Sequence, residues 1–291
     1  MIYDAAIIGT GPAGVSAALN LKIHEKALMW FGSRNLSDKA SKAEAVNNYP
    51  GLPGISGAAL NAAFRKHIDA MGLEITDQMV NAILTMGDHY AVSAGPDFYE
   101  VRSIILATGV ALTATLPGEA ERVGRGVSYC ATCDGGLYRG RTVAVLCANR
   151  RFEHEVAFLA GLAEKVYFFP TYPDSGVSAP NVETMTARIK GLEGDGGVQA
   201  VILTNGERLP VDGAFFLRDA IALNALLPRL ATEDGHIAVN RAMETNLPGV
   251  FAAGDCTGRP YQYAKAVGEG NVAAHSAIEY LARRGSATDP Q

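Results

Sequence analysis

Residues 2–14 read Ile2-Tyr3-Asp4-Ala5-Ala6-Ile7-Ile8-Gly9-Thr10-Gly11-Pro12-Ala13-Gly14, an apolar run that ends in a Gly-x-Gly-x-x-Gly turn. The residues from Val15 to Leu21 then have the character of a helix. An apolar strand, this glycine turn and a helix in succession are typical of a βαβ unit that binds a dinucleotide. The sequence therefore predicts an α/β domain with a nucleotide site in this segment.

Each glycine of the turn has its own predicted task. Gly9 permits the tight turn, Gly11 lets a pyrophosphate approach the backbone, and Gly14 lets the helix pack closely on the strand. The free N–H groups at the helix N-terminus then face the phosphates. Pro12 and Ala13 stand within this turn and belong to the predicted site.

The chain departs from the usual pattern after this helix. The next strand, Ala27 to Phe31, should end in an acid that bonds the ribose, but Gly32-Ser33-Arg34 follows it. We expect Ser33 or backbone groups to hold the ribose instead. From Asn35 to Gly57 the density of Pro and Gly predicts a loop without regular structure, which packs on a ligand.

Two later apolar runs end in residues suited to ligand binding. Val101 to Ala107 has the pattern of a buried parallel strand and ends at Thr108-Gly109. Leu247 to Ala253 is a second strand, which stops at Gly254-Asp255. A carboxylate there lies at the carboxyl edge of the sheet, where open α/β sheets bind ligands, and can accept bonds from ribityl hydroxyls. A helix cap or turn is the alternative role for Asp255.

The stretch Tyr129-Cys130-Ala131-Thr132-Cys133-Asp134-Gly135 carries a second kind of chemistry. Two cysteines at this spacing can close a small ring and store two electrons as a disulfide, with the thiolate as the reactive form. The following Asp could move the proton that the exchange needs. The alternatives are a zinc site or two buried cysteines. Structural zinc needs four ligands, and no second pair or spaced histidine pair is present, so a redox role is predicted.

A second βαβ unit is predicted around this pair, with a strand from Arg141 to Leu146 and a helix from Glu153 to Leu162. Its turn reads Cys147-Ala148-Asn149-Arg150-Arg151-Phe152 and has no glycine. A Cβ at each glycine position would crowd a pyrophosphate. Only one of the two lobes is therefore predicted to hold a dinucleotide, although the two arginines could in principle meet a 2′-phosphate.

Composition restricts the remaining classes. A chain of 291 residues suggests about two domains, and its net charge of −5 argues against nucleic acid as the main partner. No apolar run is long enough to cross a membrane, and no basic segment with a cleavage site precedes the first strand. With 4 cysteines a secreted disulfide scaffold is excluded. A cytoplasmic location is expected.

The glycine turn, the Cys-Ala-Thr-Cys-Asp-Gly string and Gly254-Asp255 occur in an order that resembles the low-molecular-weight flavoprotein thioredoxin reductases. The resemblance runs nearly end to end. It implies an α/β fold of two Rossmann-like three-layer domains and usually a homodimer. An FAD domain would comprise residues 1–113 and 241–291, with residues 114–240 inserted as the disulfide domain.

The resemblance also implies roles for single residues. Cys133 would lie against the flavin, Cys130 would attack the partner disulfide, and Asp134 would be the acid or base. Asn48 and the helix that starts near Ala264 would lie near the isoalloxazine, and Val80 near the adenine. The full set expected to bind FAD is Gly9, Gly11, Pro12, Ala13, Gly14, Ser33, Asn48, Val80, Thr108, Gly109, Gly254, Asp255, Gln262, Tyr263 and Ala264.

Within that family the chain looks most like the ferredoxin-dependent flavin thioredoxin reductases. Relatives that use NADPH carry a glycine turn and a His-Arg-Arg cluster in the inserted domain, and this sequence has neither. The implied reaction passes electrons from reduced ferredoxin through FAD and the cysteine pair to thioredoxin. The alternatives are an NADPH-dependent reductase with an atypical site, a non-catalytic flavin redox sensor, a reductase of another disulfide carrier, and a relative with a second flavin.

Ferredoxins are usually acidic, and this chain is acidic as well, so docking would need a local basic patch. The candidates by proximity in sequence are Arg122, Arg125, Arg139, Arg141, Arg150 and Arg151.

Overall fold

The computed structural model describes residues 1–109, 116–218 and 226–287, without the side chains of residues 38, 39, 120, 133 and 285–287. The chain forms two compact units. The first comprises Met1–Ala111 and Leu227–Gln291, and the second comprises Leu112–Leu226. The predicted limits at 113/114 and 240/241 differ from this division mainly at the second junction, because residues 227–240 pack with the first unit.

Within residues 1–109 the first unit has five strands and three helices. Serines cap two of its helices, since Ser37 Oγ accepts a bond from Ala40 N at 3.1 Å and Ser56 Oγ from Ala59 N at 3.2 Å. The elements are β1 (Ile2–Ile8), α1 (Pro12–Ile23), β2 (Leu28–Phe31), α2 (Asp38–Ser41), α3 (Gly57–Ala70), β3 (Val80–Thr85), β4 (Tyr90–Ala94) and β5 (Asp97–Leu106).

Residues 116–218 carry the second unit. Its elements are β6 (Val127–Ser128), α4 (Ala131–Asp134), β7 (Thr142–Cys147), α5 (Glu153–Ala160), β8 (Lys165–Pro170), β9 (Val182–Thr184), β10 (Ile189–Glu193), β11 (Ala200–Leu203), β12 (Arg208–Pro210) and β13 (Gly213–Leu217). The chain then completes the first unit with β14 (Thr232–Glu233), β15 (His236–Ile237), β16 (Val250–Ala252) and α6 (Tyr263–Ala287).

The first unit is built on a sheet with the order β2-β1-β5-β4-β3. Strands β2, β1 and β5 are parallel, and β16 adds in parallel to the end of β5. In register, Ile8 lies beside Phe31 and Leu106, and Leu106 lies beside Ala252. Four strands therefore end at the same level, and the segments that follow them are brought together at one edge of the sheet.

The second unit has a fully parallel sheet in the order β6-β13-β7-β8-β9 and a separate antiparallel sheet, β10-β11-β12. The carboxyl edge of the parallel sheet is level at Leu217, Cys147 and Pro170. The predicted α/β class, with two Rossmann-like domains, is confirmed by these sheets.

Small residues let the two long helices of the first unit approach each other. The core between α1, α6 and the sheet contains Ala17, Leu21, Ala273, Ala274 and Ala277, all with no exposed surface. A Cβ on Gly270 would lie 2.2 Å from the carbonyl oxygen of Ala13, so only glycine fits there. This contact fixes the start of α1, where the glycine turn ends.

Two local predictions are corrected. Residues 35–57 are not free of regular structure, because Ser37 caps the short helix α2 within them. The sequence also predicts a frayed tail from Arg283 to Gln291, but the chain is helical as far as Ala287, and residues 288–291 lie outside the described part. No helix in the described ranges is both long enough and apolar enough to span a bilayer.

Candidate functional site

A cavity of ≈ 400 Å³ lies at the carboxyl edge of the first unit's sheet. It brings together the segments that follow β1, β5 and β16 and the start of α6. The residues that line it are Gly11, Pro12, Ala13, Ser37, Ala40, Ala107, Thr108, Gly109, Ala253, Gly254, Asp255, Tyr261, Gln262, Tyr263 and Ala266.

The glycine turn forms one wall of this cavity, and the backbone around it is tightly packed. Gly9 has a φ of 115°, and a Cβ there would lie 2.1 Å from the oxygen of Ala107. A Cβ on Gly14 would lie 2.0 Å from the oxygen of Gly9. Trp30 Nε1 donates to that same oxygen at 2.9 Å and holds the turn on β2.

Helix α1 presents an uncapped N-terminus to the cavity. Gly11 occupies its N-cap position without a side-chain cap, and no atom lies within 4 Å of the point where its Cβ would be. The first N–H groups of a helix have no intrahelical partner and attract phosphate. The hydroxyl of Thr108 is also buried at this wall without a hydrogen-bond partner in the described residues. These features fit a dinucleotide with a pyrophosphate.

Side chains from distant parts of the chain close the other side of the cavity. Asn48 Nδ2 donates to Gln262 Oε1 at 2.7 Å across 214 residues of sequence. The Tyr263 hydroxyl donates to the carbonyl of Ala40 at 2.7 Å and ties α6 to α2. Asn48 thus lies beside the cavity lining without being part of it.

A lysine and a glutamate hold the loop that carries Asp255. Glu269 Oε2 accepts from Gly254 N at 2.9 Å and lies 3.0 Å from Lys265 Nζ. Lys265 donates in turn to the carbonyls of Gly254 and Gly258, each at 2.9 Å. Both ends of the loop are thereby fixed to the first turns of α6.

The cysteine pair lies in the second unit, on the short helix α4. Cys130 is buried and disulfide-bonded, whereas Cys147 and Cys256 are free. The hydroxyl of Ser128 accepts from Cys130 N at 3.1 Å and lies 2.7 Å from Asp134 Oδ2. One buried serine therefore connects the first cysteine to the predicted acid or base.

Glu155 on helix α5 reaches the start of the cysteine helix. Its Oε2 accepts a hydrogen bond from Ala131 N at 2.9 Å. A carboxylate thus occupies the positive end of α4, next to Cys130. Next to Cys130 in sequence, Tyr129 donates to the buried Glu119 at 2.8 Å, and Glu119 pairs with Arg218 at 2.5 Å.

The glycine-free turn of the second unit satisfies its own polar groups. Asn149 Oδ1 accepts from Arg151 N at 3.1 Å, and Arg150 Nη2 donates to the carbonyls of Pro173 and Asp174 at 3.1 and 2.7 Å. The helix α5 that follows has Glu153 in its first turn as well as Glu155. The polar groups of Asn149 and Arg150 are therefore already bonded, and two carboxylates stand in the first turn of α5.

A second cavity of ≈ 480 Å³ lies in the second unit, at the end of β8. Phe169, Tyr172, Met185 and Arg188 are among the residues that line it. Glu153 Oε1 accepts from the Tyr172 hydroxyl at 3.1 Å and from Gly176 N at 3.1 Å. Arg188 brings a positive charge to the residues that line this cavity. The adjacent turn, residues 147–152, has no glycine that would let a phosphate approach the backbone.

The two free thiols are shielded from reaction. Burial raises the pKa of the Cys256 thiol to about 11. Burial also raises the pKa of the Cys147 thiol, an effect that the Tyr172 hydroxyl 3.4 Å away partly offsets. Thiols with raised pKa react slowly because the thiolate is the nucleophile.

Comparison with known proteins identifies the family. Residues 3–146 and 178–270 match the model of the pyridine nucleotide-disulphide oxidoreductase family. A ferredoxin-flavin thioredoxin reductase structure from Clostridium acetobutylicum is 47% identical, with a TM-score of 0.81, 97% of this chain and 98% of that one covered. A second such structure from that organism is 41% identical, with a TM-score of 0.84 and coverages of 98% and 99%. The thioredoxin reductase of Listeria monocytogenes is 30% identical over 96% of this chain and 94% of its own.

The chain belongs to the pyridine nucleotide-disulphide oxidoreductase family. Within it the chain is an oxidoreductase of the thioredoxin reductase type, and the resemblance found in the sequence is confirmed. Family members of both the ferredoxin-flavin kind and the plain thioredoxin reductase kind are among its relatives.

The structure of this oxidoreductase brings most of the predicted cofactor residues to one cavity. Nine of them line it: Gly11, Pro12, Ala13, Thr108, Gly109, Gly254, Asp255, Gln262 and Tyr263. Gly9 and Gly14 shape its wall from behind, and Asn48 is bonded to the lining. Their binding of a cofactor stays a prediction.

Besides Gly9, Gly14 and Asn48, three further predicted residues are not in that lining. Ser33 is exposed, and its Oγ accepts from Asn35 N at 3.1 Å. Val80 is buried in β3 opposite Ala94. Ala264 lies in the first turn of α6, between lining residues.

Sequence reasoning missed several residues of this oxidoreductase's two sites. Glu155 and Ser128 carry no motif, and only the fold places them at the cysteine helix. Lys265 and Glu269 form an (i, i+4) pair, which in sequence is typical of a solvated helix face. In the structure both side chains are partly buried and bond to Gly254, so they hold the loop before α6.

Proposed function

We propose that this chain reduces the disulfide of thioredoxin with electrons from reduced ferredoxin, through a bound FAD and the dithiol of Cys130 and Cys133. Its membership of the family and its likeness to two ferredoxin-flavin thioredoxin reductases support the proposal. The observation that carries the choice of donor is the turn at residues 147–152.

That turn disfavours a nicotinamide cofactor for three reasons. The backbone N–H of Arg151, which could donate to a phosphate, already donates to Asn149 Oδ1. The Arg150 guanidinium is committed to two backbone carbonyls. Glu153 and Glu155 place negative charge at the helix N-terminus, where the phosphates of a dinucleotide need positive charge.

The first unit supplies the residues that would hold FAD. The N-terminus of α1, from Gly11, would bind the pyrophosphate, and Asp255 would accept bonds from hydroxyl groups of the cofactor. Gln262, fixed by Asn48, would bond polar edges of the ring. FAD is suited to this task because a flavin exchanges electrons one or two at a time, whereas a disulfide takes a pair.

The cysteine pair performs the exchange with the protein substrate. In the reduced pair, the Cys130 thiolate attacks one sulfur of the thioredoxin disulfide, forms a mixed disulfide and releases the other sulfur as a thiolate. Cys133 then attacks Cys130, which re-forms the internal disulfide and releases reduced thioredoxin. Asp134, whose Oδ2 accepts a hydrogen bond from Ser128, would hand protons to the departing thiolates.

The energetics favour this direction. A plant-type ferredoxin near −400 mV lies about 130 mV below thioredoxin near −270 mV. For two electrons the difference is roughly 6 kcal/mol downhill, so no nicotinamide is needed to drive the reaction.

The surroundings of the reaction follow from the family resemblance and remain part of the proposal. We expect a homodimer in the reducing cytoplasm, where dithiol carriers work. Of the arginines predicted to dock ferredoxin, Arg122 and Arg125 donate to backbone carbonyls and Arg141 lies 4.0 Å from Asp212. Neutral carbonyls leave the guanidinium charges of Arg122 and Arg125 in place, so docking on this patch should weaken with added salt.

An anaerobic turnover assay with thioredoxin tests the proposal. We expect turnover with a ferredoxin-generating system and none with NADPH. Turnover with NADPH alone would favour the second candidate, a reductase whose atypical nucleotide site uses the ≈ 480 Å³ cavity with Arg188. Flavin reduction by ferredoxin without thioredoxin turnover would indicate a redox sensor or a different disulfide carrier.

A substitution tests the separate roles of the two sulfurs. Cys130→Ser should leave a Cys133 thiolate and give a long-wavelength charge-transfer band with the oxidised flavin. If Cys133→Ser gives that band and Cys130→Ser does not, the two roles are reversed.

A further inference from the structure

A short hydrogen bond connects the wall of the first-unit cavity to a histidine. Tyr261 lines the cavity, and its hydroxyl lies 2.6 Å from His236 Nε2. Both side chains are partly buried, whereas residues 232–235 of the hairpin that carries His236 are exposed. Two titratable groups in contact thus extend from an exposed hairpin to the cavity.

The proposed function, on which this inference rests, makes protons a separate requirement. Reduction of one disulfide to two thiols consumes two electrons and two protons. A hydride donor brings hydrogen together with the electrons, whereas an iron–sulfur donor brings electrons alone. An enzyme supplied by ferredoxin must therefore take both protons from water through its own groups.

We propose that Tyr261 and His236 form the proton path into this cavity. In the imidazolium form, His236 Nε2–H donates to the phenolic oxygen. When the Tyr261 O–H bond breaks, its proton would pass to the reduced cofactor held in the cavity, and the phenolic oxygen takes the Nε2 proton, so the O–H bond re-forms. The neutral imidazole then regains a proton from water, so the pair returns to its starting state.

The contacts of the pair suit this task. A Cβ on Gly258 would lie 3.9 Å from His236 Cγ, so the loop after β16 packs against the imidazole. The Arg259 guanidinium lies 5.2 Å from the centre of the Tyr261 ring, where its charge favours a transient phenolate. The charged groups on the elements packed against His236 are Glu233, Asp234, Asp255, Arg259 and Lys265.

The role assigned to Tyr261 is to donate into the cavity, and His236 is a positioning residue that acts through it. The backbone of Glu233 pairs with His236 across the hairpin, and this pairing fixes the imidazole's place without involving its ring. Replacing either side chain should therefore slow proton supply and leave the fold and the cofactor cavity intact.

Stopped-flow reduction of the FAD-loaded protein tests the path. The donors are reduced methyl viologen, a chemical one-electron donor, and reduced ferredoxin, between about pH 5.5 and 8.5. The wild-type rate should fall as the pH rises across this range, because the imidazolium that supplies the proton becomes scarcer. His236→Gln and Tyr261→Phe should lower the rate about 10-fold or more and remove this dependence. His275→Gln, on the exposed face of α6, should behave as wild type.

Two measurements separate the path from a loss of structure. The flavin midpoint potential and the affinity for FAD should be unchanged in His236→Gln, because a proton path alters a rate and not an equilibrium. In the FAD-free protein, the imidazole NMR titration of His236 should shift in Tyr261→Phe and stay unchanged in His275→Gln. If Tyr261→Phe fails to bind FAD, His236→Gln decides by its rate and pH profile.

The outcomes distinguish this inference from the proposed function. Wild-type rates and pH profiles in His236→Gln with methyl viologen would overturn the proton path, as would an unshifted His236 titration. If ferredoxin fails to reduce the protein but the methyl viologen rates depend on His236 as expected, the path stands and the ferredoxin role falls.

Discussion

Glu155 Oε2 accepts a hydrogen bond from Ala131 N at 2.9 Å, so a carboxylate from helix α5 caps the helix that carries the cysteine pair. The same residue stands in the first turn of the helix that, in a nucleotide-binding unit, would face phosphates. One side chain thereby links the loss of a phosphate site to the environment of Cys130.

Glu155→Gln should make the cysteine pair a weaker reductant. The amide keeps a hydrogen-bond acceptor but removes a negative charge that opposes the Cys130 thiolate. An effect of roughly 0.5–1 kcal/mol, typical of a charge at a helix end, corresponds to about 10–20 mV for a two-electron couple. Equilibration with a thiol–disulfide buffer measures the potential, which should become more positive. The exposed Glu164→Gln serves as control, and equal potentials in both variants would contradict the assignment.

Two glycines on one helix make a matched pair. A Cβ on Gly270 would lie 2.2 Å from the Ala13 oxygen, whereas nothing lies within 4 Å of a Cβ on Gly268. Gly270→Ala should destabilise the protein by about 2 kcal/mol or more, because the backbone of α1 must move. Gly268→Ala should be neutral or stabilise by about 0.5–1 kcal/mol, since alanine favours the helix. Chemical unfolding of both variants measures this, and equal effects would contradict the close packing of α1 and α6.

Glu269→Gln should weaken FAD binding by about 10-fold or more. The substitution removes the charge that Lys265 faces and the strongest acceptor for Gly254 N, at a cost of roughly 1–3 kcal/mol. Trp30 is the chain's single tryptophan and donates to Gly9 O beside the cavity, so quenching of its fluorescence reports FAD binding to the FAD-free protein. Glu279→Gln on the exposed face of α6 should bind as wild type. An unchanged affinity in Glu269→Gln would show that this loop does not shape the cofactor site.

Cys256 should make the fold sensitive to alkali. Its folded thiol has a pKa raised from 9.0 to about 11 by burial, so the folded state binds more protons between these values. The contribution of this thiol to the free energy of unfolding is complete below about pH 9. It is lost as the pH rises to about 11, for a total of roughly 1–3 kcal/mol. Denaturation midpoints at pH 8 and 11 should therefore differ more in the wild type than in Cys256→Ala. The tyrosines, which also titrate in this range, are the same in both proteins. An identical alkaline loss in the two proteins would exclude this origin.

Short motifs predicted the parts of this protein that depend on local geometry. The sequence shows the turn at Gly9–Gly14, the pair at Cys130 and Cys133, and Gly254-Asp255 after β16, because each needs particular residues at fixed spacing. The carboxyl edge of a parallel sheet then predicted that the first and last of these would meet, and the register of β1, β5 and β16 shows that they do.

Contacts that depend on tertiary packing could not be predicted in this way. Asn48 bonds to Gln262 across 214 residues of sequence, and neither residue type predicts its hydrogen-bond partner. The second junction between the units lies at Leu227 because the β14–β15 hairpin packs with the loop after β16, a contact with no sequence signal. The bond between His236 and Tyr261 depends on that same packing.

The most direct test of the account is anaerobic stopped-flow reduction of the FAD-loaded protein, with absorbance of the oxidised flavin as the signal and thioredoxin left out. Reduced ferredoxin should bleach the flavin at a catalytic rate that falls with added salt, and NADPH should not bleach it on that time scale. Fast bleaching by NADPH, or failure of reduced ferredoxin to bleach the flavin, would contradict the claim that a protein donor has replaced the nicotinamide.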